Sequence, residues 1–344
     1  MFVKKNFSLR EVFIFSGVHV IWLLIWSSIV TCIYHFTSWN IIRIPWLPLS
    51  VIGTAVAFYI GFKNNQAYDR LWEARKIWGG IVNSSRSWGS VVRAYVRNHF
   101  DHTHIEDVKV KLTWERLIYR HIAWLYTLRE QLLIPAPWEH INQSVHIRRM
   151  VAKRMTKYGT GTLDGGYIED LKNLLSAEEL NKLPHFKNAA TQLIDIQSQE
   201  LAALKKEDLI EDFRHMEMQN ILNEFYALQG KCERIKKFPL PRQYGNMSMI
   251  FVGIFIFLLP FGMIPEFQKL GEYGIWVSIP LTALVSWVYL VMELVGDYSE
   301  NPFEGLGNDI PMMSLCRTIE IDLRQMLGED NLPEPIESKN GVLM

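Results

Sequence analysis

Three groups of side chains in this 344-residue chain have the types and spacing that chemistry needs. His99, His102 and His104 crowd one short segment, HFDHTH, which invites a metal. Glu293, Asp297, Glu300, Glu304 and Asp309 lie with Asn301, Asn308 and three glycines, the hard-oxygen chemistry that Ca²⁺ favours. Tyr68, Asp69, Arg70, Glu73 and Arg75 form a dense polar stretch able to make interhelical ion pairs. Each group also has a plainer role. The histidines lack a helical i,i+4 pair and a nearby cysteine, so they read as a solvated loop. The carboxylates lack EF-hand spacing, and Asn308 or Asp309 is expected to cap a helix over Met312–Leu327, with Pro311 near its first turn. The Tyr68–Arg75 stretch reads equally as a solvated helix with local pairing. GxSxG, GxxxxGK[ST] and HExxH do not occur, and no Cys/His pair has catalytic spacing. No catalytic residue, metal ligand or enzyme activity is assigned. No cofactor is assigned either, with calcium kept as the one candidate.

Composition narrows the class. Hydrophobic residues make up 49% and charged residues 21%, with 12 Trp and 18 Phe, so ample apolar surface offsets ordering entropy and disorder is excluded. Lys plus Arg number 36 against 36 Asp plus Glu, which leaves no net positive field for nucleic acid. Cys32, Cys232 and Cys316 lie far apart, so neither a disulfide framework nor a thiolate zinc site is indicated.

The apolar residues are concentrated in runs. Phe13–Phe36 and Ile44–Phe62 contain no Asp, Glu, Lys or Arg, and Met247–Pro265 and Gly274–Met292 repeat the pattern. A hydrocarbon core of about 30 Å needs roughly 20 such residues in a helix, so four transmembrane helices are predicted. Lys4, Lys5 and Arg10 precede the first, and Lys63, Arg70, Arg75 and Lys76 follow the second, whereas the two opposite links carry one cation each. Both termini and the long middle section are therefore expected on the cytoplasmic side. Trp22, Trp26, Trp39, Trp46 and Trp276 are expected as interfacial anchors or core. The middle section reads as helical, from three- and four-residue apolar spacing over Arg116–Leu133 and Glu207–Cys232. Pro135–Pro137 and Gly159–Gly166 punctuate it as loops. The expected organisation is residues 1–62 with two membrane helices, 63–245 as a cytosolic helical region, 246–295 with two more membrane helices, and 296–344 as a cytosolic end: an all-α integral membrane protein.

On the second membrane helix Gly53, Ala57 and Gly61 make a small-residue stripe that lets helices approach closely. About 100° round runs a second stripe, Thr54, Phe58 and Phe62. Rings of Phe around an axis could form an apolar constriction that gates by dewetting. On periodicity alone, contact with lipid or filling of a bundle is the commoner role.

The chain resembles the bestrophins, in their bacterial branch. The residues that carry the resemblance are Gly61-Phe62-Lys63-Asn64-Asn65 leading into Tyr68-Asp69-Arg70-Leu71-Trp72-Glu73-Ala74-Arg75. Gly230-Lys231-Cys232-Glu233-Arg234 follows, with Pro239, Pro241 and Tyr244. Glu300-Asn301-Pro302-Phe303, Asn308-Asp309-Ile310-Pro311 and Cys316-Arg317-Thr318-Ile319-Glu320 complete the set. The resemblance implies a homopentameric ion channel around a central pore, in the bacterial inner membrane, with lipid and monovalent ions as partners. It implies a pore neck at Thr54, Phe58 and Phe62, and a cytosolic constriction at Phe213. Two departures matter. Thr54 replaces a large apolar residue, which would leave one smaller, partly polar ring. Gly305, Leu306 and Gly307 interrupt the acidic run that binds Ca²⁺ in animal members, so calcium activation is not carried over.

The expected function is passive flux of small monovalent ions, chloride first. One alternative is a monovalent cation channel, since the neck carries no charge. Another is a membrane-anchored scaffold or sensor without ion flux. An integral-membrane enzyme using Glu293, Asp297 and Glu300 is weaker, because ion pairing is the commoner role of carboxylates at a membrane boundary.

Overall fold

The protein is described from a computed structural model, which covers residues 1–6, 8–37, 43–97, 107–142, 145–158, 171–271 and 273–344. His99, His102, His104, Trp39 and the Gly159–Gly166 segment lie outside the described residues. Ten α-helices are present among the described residues. They are α1 (Leu9–Thr37), α2 (Trp46–Tyr95), α3 (Asp107–Leu133), α4 (Val145–Tyr158), α5 (Ala177–Lys182), α6 (Ala189–Lys206), α7 (Asp212–Lys237), α8 (Arg242–Gln268), α9 (Gly274–Asp297) and α10 (Met312–Leu327). Extended pairing among the described residues amounts to isolated bridges of Val342 with Phe2 and Lys339.

Local chemistry sets several boundaries. Ser8 and Glu11 exchange side-chain-to-backbone bonds at the start of α1, as do Ser176 and Glu179 at the start of α5, so orphan helix N–H groups are satisfied reciprocally. Gly328, at φ 81°, closes α10 in the left-handed region where a Cβ is costly. The helix expected over Glu207–Cys232 starts later than its apolar spacing suggested and runs on to Lys237. Asp208 adopts φ 58°, Leu209 N–H bonds back to the Leu204 carbonyl at 3.0 Å, and α7 begins only at Asp212. Asp is among the few L-residues that tolerate this conformation.

The chain divides into two compact units. One comprises Lys4–Arg70 and Pro239–Glu300, and so contains α1, the first half of α2, α8 and α9. These four helices are long and apolar enough to cross a membrane. Helical bonding satisfies most of their backbone groups, and the Phe261 carbonyl, which Pro265 leaves without an in-helix donor, accepts from the Ile44 N–H at 3.3 Å. Hydroxyls bond within their own helix: Ser16, Thr31 and Thr54 donate to the carbonyl four residues back. Leu49, Val56 and Ile60 of α2 pack with Val252, Phe255 and Leu259 of α8, and with Leu23 and Leu290. The other unit comprises Met1–Val3, Leu71–Phe238 and Asn301–Met344. Its core is aromatic at the centre, with Trp78, Trp88, Trp124 and Phe225 fully buried, and is completed by Cys316, Ile319 and Leu323 of α10. The protein is thus an all-α membrane protein with four membrane-spanning helices and a helical body.

Candidate functional site

Helix α2 has two unlike faces. Leu49, Gly53, Val56, Ile60, Lys63 and Ala67 recur at three- and four-residue steps and are all buried. Thr54, Phe58 and Phe62 stand on the exposed side of the single chain, Phe58 at 68% and Phe62 at 55% exposure. An uncharged aromatic stripe this open, on a membrane helix, has to be covered by lipid or by other copies of the chain. The Phe58 and Phe62 rings meet edge to face, 4.8 Å between centroids and 89° between planes, the arrangement that aromatic quadrupoles favour. Thr54 donates its hydroxyl to the Ser50 carbonyl at 2.9 Å, so its proton is used within the helix and only its acceptor lone pairs remain open.

The small-residue stripe acts at one position. A Cβ on Gly53 would stand 2.8 Å from the Phe255 ring, and Tyr289 donates to the Gly53 carbonyl at 3.1 Å. Gly61 has nothing within 4 Å of its Cβ position, so close packing within this chain makes no use of it.

Immediately behind the stripe lies a charged cluster. Lys63 pairs with Glu293 of α9, both side chains almost fully buried, and Ser248 of α8 donates to the same carboxylate. Asp297 Oδ1 lies 4.0 Å from the same ammonium. Asn64 donates to the Met292 carbonyl at 3.0 Å, seated against Gly296, where a Cβ would meet its Oδ1 at 2.0 Å. Sequence reasoning counted Lys63 among the flanking charges and left the cluster unseen. The available signal was one carboxylate, Glu293, directly after the uncharged run Gly274–Met292 and ahead of Leu294 and Val295.

Phe213 is at the start of α7 and 86% exposed, with Met216 one turn on and also exposed. Tyr68 and Asp69 are exposed on α2, and Arg70 is half-buried. In the Cys232-Glu233-Arg234 motif each residue has a separate structural task. Cys232 is fully buried, and burial pushes its thiol up to about 12, which makes it an inert core residue. Glu233 is partly buried, which alone would raise its pKa. Bonds from Gln229, Asn188 and Lys237 hold the carboxyl below the usual range instead. Arg234 forms an interhelical ion pair with Glu73 of α2.

Asn301, Pro302 and Phe303 are buried together. The Phe303 carbonyl accepts from Lys236 at 3.2 Å, and Lys236 also pairs with the buried Glu139. Asn301 donates to Glu304 Oε1 at 2.7 Å, while Glu304 Oε2 stands 2.8 Å from His140 Nδ1. The expectation that Asn308 or Asp309 caps α10 is not met. Pro311 occupies the cap position without a side-chain bond, and Asp309 Oδ2 turns back to accept the Glu304 and Leu306 N–H groups at 2.7 and 3.0 Å. The carboxylate serves its own loop because the loop's N–H groups are buried and need an acceptor. A Ca²⁺ shell takes roughly six to eight oxygens, and the carboxylates of this segment turn to donors of the fold. Both Glu304 oxygens and Asp309 Oδ2 already accept hydrogen bonds, and no group of three or more His, Cys, Asp or Glu among the described residues is placed to hold a metal.

Comparison with known proteins agrees with the resemblance. The sequence family described as Bacterial/Fungal Bestrophin protein matches residues 12–325. The voltage-dependent anion channel-forming protein YneE of Escherichia coli O157:H7 is 25% identical over 338 residues, 95% of this chain and 94% of that protein. A voltage-dependent anion channel-forming protein of Mesorhizobium japonicum is 24% identical over 282 residues, 82% of this chain and 75% of that one. A crystal structure of a bacterial bestrophin homologue from Klebsiella pneumoniae shares the fold, with a TM-score of 0.71 and 22% identity over 91% of this chain and 99% of that one.

Proposed function

Since the chain belongs to the bacterial and fungal bestrophins, we propose that it forms a passive channel for small monovalent anions, chloride first, as a homopentamer around one pore. The observation that carries this reading is the exposed, uncharged stripe Thr54–Phe58–Phe62, set opposite the buried face of α2. Copies of α2 arranged around an axis with this stripe inward form an apolar neck without a charged side chain. No bond is made or broken. Ions shed part of their hydration at the Phe rings and regain it beyond them, and the barrier depends on neck width and on dipoles at its mouths. A Phe ring has a positive edge, so rings that present edges to the axis favour an anion without any formal charge. The curated relatives described as anion channel-forming proteins support the same sign. Phe213, exposed at the start of α7, supplies a second, cytosolic constriction in this reading. Tyr68–Arg70, Cys232–Arg234 and Asn301–Phe303 hold the surrounding helices, and no enzyme chemistry is required. The protein sits in the bacterial inner membrane with both termini cytoplasmic, in accord with Lys4, Lys5 and Arg10 before α1.

The test is the reversal potential of purified protein in a planar bilayer under an asymmetric KCl gradient. The chloride equilibrium potential is expected. A potential near that of potassium would replace the anion reading with the cation channel. Silence from well-folded, oligomeric protein across a range of voltages would favour a scaffold.

A further inference from the structure

Lys63 is the residue after Phe62, so its Cα lies about 3.8 Å from that of Phe62, yet its side chain leaves the exposed stripe for the buried face. There it meets Glu293 of α9, whose second oxygen is held by Ser248 of α8, with Asp297 one helical turn further on. Three membrane helices are joined at one level, directly behind one Phe. Apolar helices in lipid have little to fix their rotation, since lipid tails are as apolar as Leu. A buried ion pair costs desolvation free energy, and its best-attested return is register.

We propose that Lys63 and Glu293 are a positioning and specificity-determining pair for the neck, which fixes the rotation of Phe62 and sets the electrostatic field there from behind the wall. This rests on reading Thr54, Phe58 and Phe62 as the neck. The stripe Thr54–Phe58–Phe62 carries no charge itself, and Lys63 brings a buried ammonium to the residue directly after Phe62. The charges of the cluster stand in protein and lipid of low dielectric, where salt screens weakly. Lys63 faces Glu293 and Asp297, and loss of Glu293 or of Lys63 shifts the cluster's charge in opposite directions. Removing the Glu293 charge leaves Lys63 facing Asp297 alone, so the cluster behind every Phe62 in the ring becomes less negative and favours anions. Removing the ammonium leaves Glu293 and Asp297 and favours cations.

The experiment measures reversal potentials in planar bilayers under a KCl gradient for Glu293→Gln, Lys63→Met and the swap Lys63→Glu/Glu293→Lys, each checked for oligomeric state. Phe58→Ala/Phe62→Ala serves as the control for the neck. Glu293→Gln is expected to raise the chloride-to-potassium permeability ratio about threefold or more, and Lys63→Met to lower it by a similar factor. Opposite signs from the two partners are what a merely structural pair would not produce. The swap keeps the ion pair but moves the cation off α2, and is expected to shift the ratio towards potassium. Where a single variant does not assemble, the swap decides. Unshifted potentials in assembled variants, alongside a changed conductance in the Phe control, would overturn the inference and leave the neck standing. An unchanged conductance in the assembled Phe control removes the neck, and this inference with it.

Discussion

His140 Nδ1 stands 2.8 Å from Glu304 Oε2, with both side chains 3% exposed. The partner oxygen of Glu304 accepts from Asn301, so a single buried carboxylate ties the Asn-Pro-Phe turn to the chain that follows α3. The imidazole is the donor on Nδ1 as long as Glu304 is ionised.

Loss of that donor strands a buried charge. His140→Ala is expected to destabilise the helical body by about 2–4 kcal/mol, in the range for breaking a buried pair. Thermal unfolding in detergent measures it. A double-mutant cycle with Glu304→Gln should return a coupling of about 1 kcal/mol or more. Additive effects would mean that the two side chains act independently.

Asp309 sets a pH dependence. Burial, helped by the neighbouring Glu304, pushes its carboxyl up from 3.8 to about 7. The folded state therefore holds a proton there that the unfolded chain has released, and stability falls as pH rises through the interval from about 4 to about 7. Asp309→Asn retains an acceptor for the Glu304 and Leu306 N–H groups without the charge. Its melting temperature should gain on wild type as pH rises through that interval, and parallel curves for the two proteins would refute the assignment.

Phe58→Ala/Phe62→Ala should widen the neck and raise unit conductance without disturbing assembly, because both rings are exposed on the single chain. Single-channel recording with a sizing column as control checks it. Wild-type currents from a correctly assembled double variant would remove α2 from the conduction path.

Phe213→Ala is the sharpest probe of the second constriction. At 86% exposure the side chain contributes little to packing, so stability should stay within about 0.5 kcal/mol of wild type. A change in conductance then reports on the permeation path and not on folding. No change would leave the Thr54–Phe62 stripe as the sole barrier.

The glycine stripe divides under substitution. Gly53→Ala drives a Cβ to 2.8 Å from the Phe255 ring and should cost about 1–3 kcal/mol, while Gly61→Ala, open to 4 Å, should leave the chain's own stability unchanged. Unfolding of the two variants in one detergent compares them directly. Equal losses would show that Gly61 is packed by something outside the single chain.

Sequence by itself determined what depends on composition and period. Uncharged runs of about 20 residues are read directly as membrane helices because hydrocarbon tolerates little else, and α1, α2, α8 and α9 follow from Phe13–Phe36, Ile44–Phe62, Met247–Pro265 and Gly274–Met292. The stripe Thr54–Phe58–Phe62 was legible because a helix places every fourth residue on one face. Its exposure in the fold was not, since the faces of an all-apolar helix differ only in what packs against them. Tertiary structure alone decided the charged pairs. Lys63 and Glu293 are 230 positions apart, and His140 and Glu304 are 164 apart, so no local spacing announces either. Asp309 carries the same lesson at short range. Its position before α10 suggested a cap, but the buried N–H groups of its own loop needed the carboxylate more, and only the folded backbone shows which donors water has left behind.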